Sequence, residues 1–333
     1  MKHLSRLAVV PLLGAALAGC AGTPHTFLDP YSSVAREQAN LYWIILWMAV
    51  AVFVLVEGLL LYNILRFRAK KGDDSLPPQI YGHVTLEAVW TGIPVLLVAM
   101  LFFFAVTTVN AISAPAKAAS DVNVRVVGHQ WWWEYQYPDF NNFKTANDLH
   151  VPVGANVHIT MISKDVIHSF WIPQLSGKTD VIPGQVNSLW FRAEKEGEFF
   201  GQCAEFCGLN HANMKIKVIV QSQADFDAWA ANQMLPPAAP VTDQQQEAVK
   251  IITTGLCKGC HTLGDSVGAQ DIGPNLNHLM SRSTFAGAMF PLNEDNLARW
   301  LKDPQAMKPH NDMIIKLKKE EIDALLSYLL TLK

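Results

Sequence analysis

The sequence predicts a multi-domain membrane protein: a two-helix transmembrane hairpin, an antiparallel β-sandwich and a C-terminal all-α domain. Three observations predict it. Two apolar runs are long enough to cross a bilayer, residues 121–220 read as short alternating runs broken by Gly, Pro and Asn, and helix-patterned segments follow a Pro- and Ala-rich joint.

The totals agree with that outline. A chain of 333 residues has room for about two or three domains. Hydrophobic residues make up 50% and charged ones only 17%, with a mean hydropathy of +0.15, which implies a membrane portion. A net charge of -3 argues against a nucleic-acid partner, which would need a basic surface. The opening "MKHLSRLAVVPLLGAALAGC" has a basic start, an apolar centre and small residues before Cys20, the layout of a secretory signal over residues 1–19. Its last four residues resemble a bacterial lipobox, in which the cysteine is lipidated; the alternative is an ordinary signal with a chance cysteine. A mature N-terminal segment then covers residues 20–40.

Residues 41–65 and 86–112 are the two spans, making a hairpin over 41–112. Arg66, Arg68, Lys70 and Lys71 between them place that loop in the cytoplasm and both mature ends outside. Pro94 is expected to bend the second span. Glu57 and Glu87 lie near the cytoplasmic ends; Glu57 reads as snorkelling to the headgroups. His83 is the only histidine near either span and sits at its mouth, so these helices carry no ligand set for a buried redox centre.

In the sandwich region, "CAEFCGLNHANM" brings Cys203, Glu205, Cys207, His211 and Met214 into one loop, and "DVIHSFWIP" supplies His168 at a strand end. A disulfide and a structural zinc are competing readings. Thiolate and thioether with imidazole favour copper, and one cysteine would complete a single-copper site. The second thiol changes the stoichiometry, since two sulfurs can each bridge two metals, giving a centre suited to fast electron transfer.

These residues, with "GKTDVIPG", resemble the binuclear copper domain of cytochrome c oxidase subunit II from residue 41 to about residue 220. The resemblance implies a cupredoxin-like Greek-key sandwich over residues 120–222 with a binuclear copper (CuA) centre. It implies His168, Cys203, Cys207, His211 and Met214 as side-chain ligands, and Glu205 as a ligand through its main-chain carbonyl. The Glu205 carboxylate would face a magnesium shared with the main subunit. Trp131, in "HQWWWEYQY", matches the tryptophan through which electrons enter; tyrosine usually stands where this chain has Trp132. Glu87, in "LEAVWTGIP", resembles the glutamate at the mouth of a proton pathway.

Residues 232–246, "NQMLPPAAPVTDQQQ", read as a linker, and about 14 extended residues reach roughly 40 Å. In the domain at 247–333, Cys257, Cys260 and His261 form the pattern for covalent attachment of haem c, two thioethers beside an imidazole on iron. A thioredoxin-like pair or zinc knuckle would share the spacing. "GPNLNHL" and the closing "KEEIDALLSYLLTL" resemble a small cytochrome c domain. Met280, Met289, Met307, Met313, His278 and His310 are candidates for the sixth iron ligand. Met313 is preferred, because "WLKDPQAMKPHNDM" resembles that family's approach to its methionine, although Ile314 stands where a proline often follows; Met307 is next.

The resemblance implies subunit II of a bacterial haem-copper oxidase in the inner membrane, its copper and haem domains on the periplasmic face. Electrons would pass from an external donor, a soluble cytochrome c or a quinol-oxidising complex, to haem c. They would continue to the copper pair and then to the oxygen-reducing site of subunit I, coupled to proton translocation. Subunit III is a further expected partner, and membrane lipid surrounds the spans. The alternatives are a membrane-anchored relay serving another reductase, such as a nitrogen-oxide reductase, and a non-redox scaffold held by disulfides or zinc.

Overall fold

The computed structural model describes residues 23, 25–68, 72, 76, 78–113, 121–264 and 272–333. The expected signal, Cys20, Lys70 and Lys71 lie outside the described residues. Residues 36–113 form one compact unit, and residues up to 35 together with those from 114 onward form another.

The first unit consists of two long apolar helices. Helix α1, Ser33–Arg66, has 34 residues, so at about 1.5 Å per residue it spans some 51 Å, more than a hydrocarbon core. It begins earlier than the apolar run and ends on Arg66, whose charge suits the negative end of the helix dipole. Helix α2, Val84–Ile112, runs on through Pro94. His83 caps it, its Nδ1 accepting from the Leu86 N–H at 3.3 Å. Both helices have the length and hydropathy to cross a membrane.

In the second unit, two five-stranded sheets face each other. One takes β1 (Val122–His129), β2 (Trp132–Tyr137), β3 (Phe143–Ala146), β5 (Val157–Ser163) and β8 (Asn187–Phe191) in the order β3-β2-β1-β5-β8. The other takes β4 (Asp148–Pro152), β6 (His168–Trp171), β7 (Thr179–Val181), β9 (Gly197–Cys203) and β10 (Lys215–Gln221) in the order β4-β10-β9-β6-β7. Alternate residues point inward, and Val126, Trp133, Tyr135, Leu149, Ile159, Phe170 and Val218 form a fully buried core. The sandwich departs from the antiparallel expectation in two places. Strands β1 and β5 pair parallel, as do β10 and β4. Parallel neighbours need crossovers instead of hairpins, so the pairing cannot be read from local alternation.

Strand β9 ends on Cys203 and β10 starts at Lys215, which makes "CAEFCGLNHANM" the connection between two paired strands. Gly201 fixes how closely β9 lies against β6. A Cβ there would sit 2.2 Å from the Trp171 carbonyl oxygen.

The expected linker is shorter and less free than its composition suggests. Helix α3, Gln223–Gln233, takes in its first residues, and helix α4, Asp243–Thr253, its last ones. The Thr242 hydroxyl accepts from the Gln245 N–H, an N-cap hidden within a Gln-rich run. Between the helices, the Ala238 carbonyl accepts from the Tyr328 hydroxyl at 2.8 Å, and the Leu235 carbonyl lies 2.9 Å from His278 Nε2. Beyond it α4, α5 (Glu294–Lys302), α6 (Pro304–Met307) and α7 (Lys319–Leu329) surround a core of Ala248, Ile252, Leu297, Leu301, Leu325 and Leu329. A small hairpin of β11 (Thr284–Phe285) and β12 (Phe290–Pro291) adds strand to the expected all-α domain.

Gly201→Ala should destabilise the sandwich by about 1–3 kcal/mol, because backbone cannot rotate away from the added methyl as a side chain could. The check is a lower thermal midpoint for unfolding of the sandwich.

Candidate metal centres

The copper loop brings its sulfurs together without joining them. Cys203 Sγ and Cys207 Sγ lie 3.8 Å apart, well beyond the ~2.05 Å of a disulfide. The ligand atoms of His168, Cys203 and Cys207 all fall within 4.8 Å of one another, and all three residues are buried. His168 Nδ1 is 3.9 Å from Cys203 Sγ, His211 Nδ1 is 3.7 Å from Cys207 Sγ, and Met214 Sδ is 3.9 Å from Cys207 Sγ. The Glu205 main-chain carbonyl accepts from the Cys203 thiol at 3.2 Å, while Glu205 itself is exposed. One histidine thus stands beside each sulfur, with the thioether near Cys207 and the carbonyl near Cys203.

Electrostatics favours deprotonation here. The hydrogen bond shared with Cys207, followed by His168 and backbone groups, pulls the Cys203 thiol well below its ordinary range against the cost of burial. The same contact and burial push Cys207 up. Burial opposes a charge on His168, but Asp165 and the Cys203 sulfur outweigh it and raise its pKa. His168 Nε2 donates to Asp165 Oδ1 at 2.7 Å, which leaves Nδ1 facing the sulfur. The Gln130 and Val166 N–H groups, each at 2.6 Å, hold that carboxylate in turn.

Copper fits this donor set. Metal–thiolate bonds of about 2.3 Å can span the gap between the sulfurs from either side. Two thiolates, two imidazoles, a thioether and a carbonyl exceed what one tetrahedral zinc uses, and the soft thioether suits copper.

A second site lies in the helical domain, a cavity of about 370 Å³, the size of a small cofactor pocket. Cys257, Cys260, His261 and Met313 line it. Burial pushes the Cys257 thiol up to about 11 and also raises Cys260, which keeps both neutral. His261 Nδ1 donates to the Pro274 carbonyl at 2.7 Å, which leaves Nε2 as the ring's acceptor, and burial holds the ring neutral. A Cβ on Gly273 would lie 2.6 Å from His261 Cε1, so that ring rests directly on backbone. The Trp300 indole N–H donates to Met313 Sδ at 3.0 Å and fixes the thioether. Among the described residues, none of the other candidates lines this cavity, and His278 has both ring nitrogens against carbonyls.

Haem fits as well. Arg282 is buried at the cavity wall, its Nε without a partner, and burial pulls it down to about 10. Its Nη2 donates to the Asn275 carbonyl at 2.6 Å, and the unpaired Nε suits an anion such as a haem carboxylate.

Three family matches cover most of the chain: "Cytochrome C oxidase subunit II, transmembrane domain" at residues 23–108, "Cytochrome C oxidase subunit II, periplasmic domain" at 141–222, and "Cytochrome c" at 245–333. Cytochrome c oxidase subunit 2 of Alkalihalophilus pseudofirmus is 33% identical over 100% of this chain and 98% of its own length. The chain belongs to the cytochrome c oxidase subunit 2 family. The subunit 2 of Bacillus sp. strain PS3 is 35% identical over 95% of this chain and 94% of its own length. Among solved structures, the periplasmic domain of subunit II of the Bradyrhizobium japonicum cytochrome oxidase is 35% identical, covers 34% of this chain and 92% of that one, and has a TM-score of 0.33.

Membership of the cytochrome c oxidase subunit 2 family makes the chain part of an oxidoreductase anchored in a membrane. The periplasmic domain implies a copper centre and the cytochrome c domain a haem c. Around these centres the structure places the remaining candidates. Trp131 donates its indole N–H to the Cys207 carbonyl at 3.0 Å, one bond from the copper loop. Gly208 makes room for it, since a Cβ there would lie 3.1 Å from Trp131 Cζ2. Trp132 donates to the Ile272 carbonyl at the cavity wall, and Trp133 packs in the core edge-on to Phe170. Glu87 accepts from the His83 N–H at 3.2 Å, a capping contact at the start of α2. The sequence reading missed Asp165, Arg282, Trp300 and Lys308. Asp165, three residues before His168, had a local signal, whereas Lys308 meets Trp131 across 177 positions.

Asp165→Asn should leave His168 free to turn and weaken copper binding about 10- to 100-fold. Chelator competition against the full chain measures this.

Proposed function

We propose that the chain passes electrons from its own haem c to a binuclear copper centre and on to the oxygen-reducing site of subunit I of a bacterial cytochrome c oxidase. The observation that carries this reading is the buried, unbonded sulfur pair at 3.8 Å, flanked by His168, His211 and Met214. The copper pair supplies one-electron storage shared over two metals, and haem c a second one-electron site.

The chain's own residues do the rest. Cys203, Cys207, His168, His211 and Met214, with the Glu205 carbonyl, would hold the copper. Asp165 orients His168 as described, and the tight sandwich keeps the donors from relaxing between redox states. In the helical domain Cys257 and Cys260 would attach the haem, His261 and Met313 would hold its iron, and Arg282 would take a haem carboxylate. Trp131 sits between the two centres, as its place in the cavity wall and its bond to the Cys207 carbonyl support. The finer assignments join the same reading: residues 1–19 as signal, lipidation at Cys20, and helices α1 and α2 in the inner membrane with both metal domains on the periplasmic face. They extend to a magnesium at the Glu205 carboxylate, Glu87 at a proton pathway coupled to translocation, subunit III as a neighbour, and a soluble cytochrome c or quinol-oxidising complex as donor.

Cys207→Ser removes one bridge. The expected result is loss of the bound copper pair with haem c still attached, and electron flow from haem to oxygen stopped, read by metal analysis and oxygen uptake of the assembled oxidase. A variant that keeps both its copper and its oxygen uptake would contradict the assignment.

A further inference from the structure

The haem cavity is walled partly by the copper domain, through Gln130, Trp131, Trp132 and Asn147. Lys308 stands at that junction. It follows α6, is only 4% exposed, and its ammonium donates to the Trp131 carbonyl at 2.8 Å and to the Ala286 carbonyl at 3.0 Å. No carboxylate pairs with it among the described residues. A lysine buried in this way is costly unless its donors are met. Burial pulls its pKa down to about 7, against the pull of the Cys207 sulfur and Asp312.

The hairpin tip opposite is built for close approach. A Cβ on Gly287 would lie 2.7 Å from the Trp131 oxygen, 2.8 Å from Lys308 Nζ and 2.9 Å from the Asn213 oxygen. Gly287 has φ +79°, and Ala286 and Ala288 beside it are both at φ 56°, a left-handed conformation that side-chain-bearing residues rarely adopt. That backbone is held from the copper domain. Gly287 N–H donates to Asn147 Oδ1 at 3.1 Å, and Lys215 N–H donates to the Gly287 carbonyl at 2.9 Å. Strained backbone persists where surrounding structure over-determines it, often at functional contacts.

We propose that Lys308 and the Gly287 tip form a latch that holds the haem domain on Trp131, so that haem-to-copper electron transfer runs through a standing contact and not through tethered encounters. The inference rests on the functional reading above. The step it serves moves one electron, oxidising the haem iron and reducing the copper pair by one each, with no bond made or broken. An external carrier supplies that electron. Lys308 is a positioning residue, since it acts through Trp131, whose indole reaches the copper loop.

Lys308→Met and Gly287→Ala attack the latch from its two sides, in the full-length chain with both cofactors bound. Amide exchange at Gly287 and Lys215 should rise about tenfold or more in each, as a local opening released from its contact. Transfer from flash-reduced haem should be independent of solvent viscosity in the natural chain, and slower and viscosity-dependent in the variants. Unchanged exchange in both variants, or a viscosity-dependent natural chain, would overturn the latch. A natural chain that binds no copper would sink the functional reading instead, while amide exchange still decides the latch.

Discussion

The structure turns on two sulfurs kept close and kept apart. Cys203 closes strand β9 and Cys207 lies in the loop that follows, and both are buried against Met214 and the sandwich core. The ladder between β9 and β10 fixes one, and bonds from Gln130 and Trp131 to the Cys207 carbonyl fix the other. The spacing is therefore set by the backbone and the bonds that hold it. Preorganisation of this kind suits electron transfer, where little atomic movement should accompany a change of charge.

From that pair the rest of the outer unit follows. The Asp165 carboxylate aims one imidazole at the centre, and Trp131 leads from the Cys207 carbonyl to the haem cavity, where Lys308 meets its main chain. Asp148, buried at the edge of the second sheet, accepts from the Ser283 N–H and hydroxyl and from the Thr284 hydroxyl, so the haem domain is bonded to the copper domain at several points. A tether alone would give only a raised local concentration. A docked surface gives a fixed distance.

Much of this was legible in the sequence where ligands are neighbours. Cys203, Cys207, His211 and Met214 share one loop, and Cys257, Cys260 and His261 are nearly consecutive, so chemistry and spacing announce themselves together. What escaped is non-local. Trp300 reaches Met313 from the far side of α6, and Lys308 reaches Trp131 across 177 positions, with no pattern linking them. The parallel pairs β1–β5 and β10–β4 were hidden because alternation reveals a strand but not its neighbour. The linker misled for a different reason. Its Pro- and Ala-rich composition suggested a free chain, whereas a single cap at Thr242 and bonds to Tyr328 and His278 fasten it.

Electron paramagnetic resonance of the oxidised, copper-loaded chain tests the central claim most directly. Two metals held by two shared sulfurs predict a hyperfine pattern from one electron spread equally over two copper nuclei. A pattern from a single copper nucleus would contradict the account.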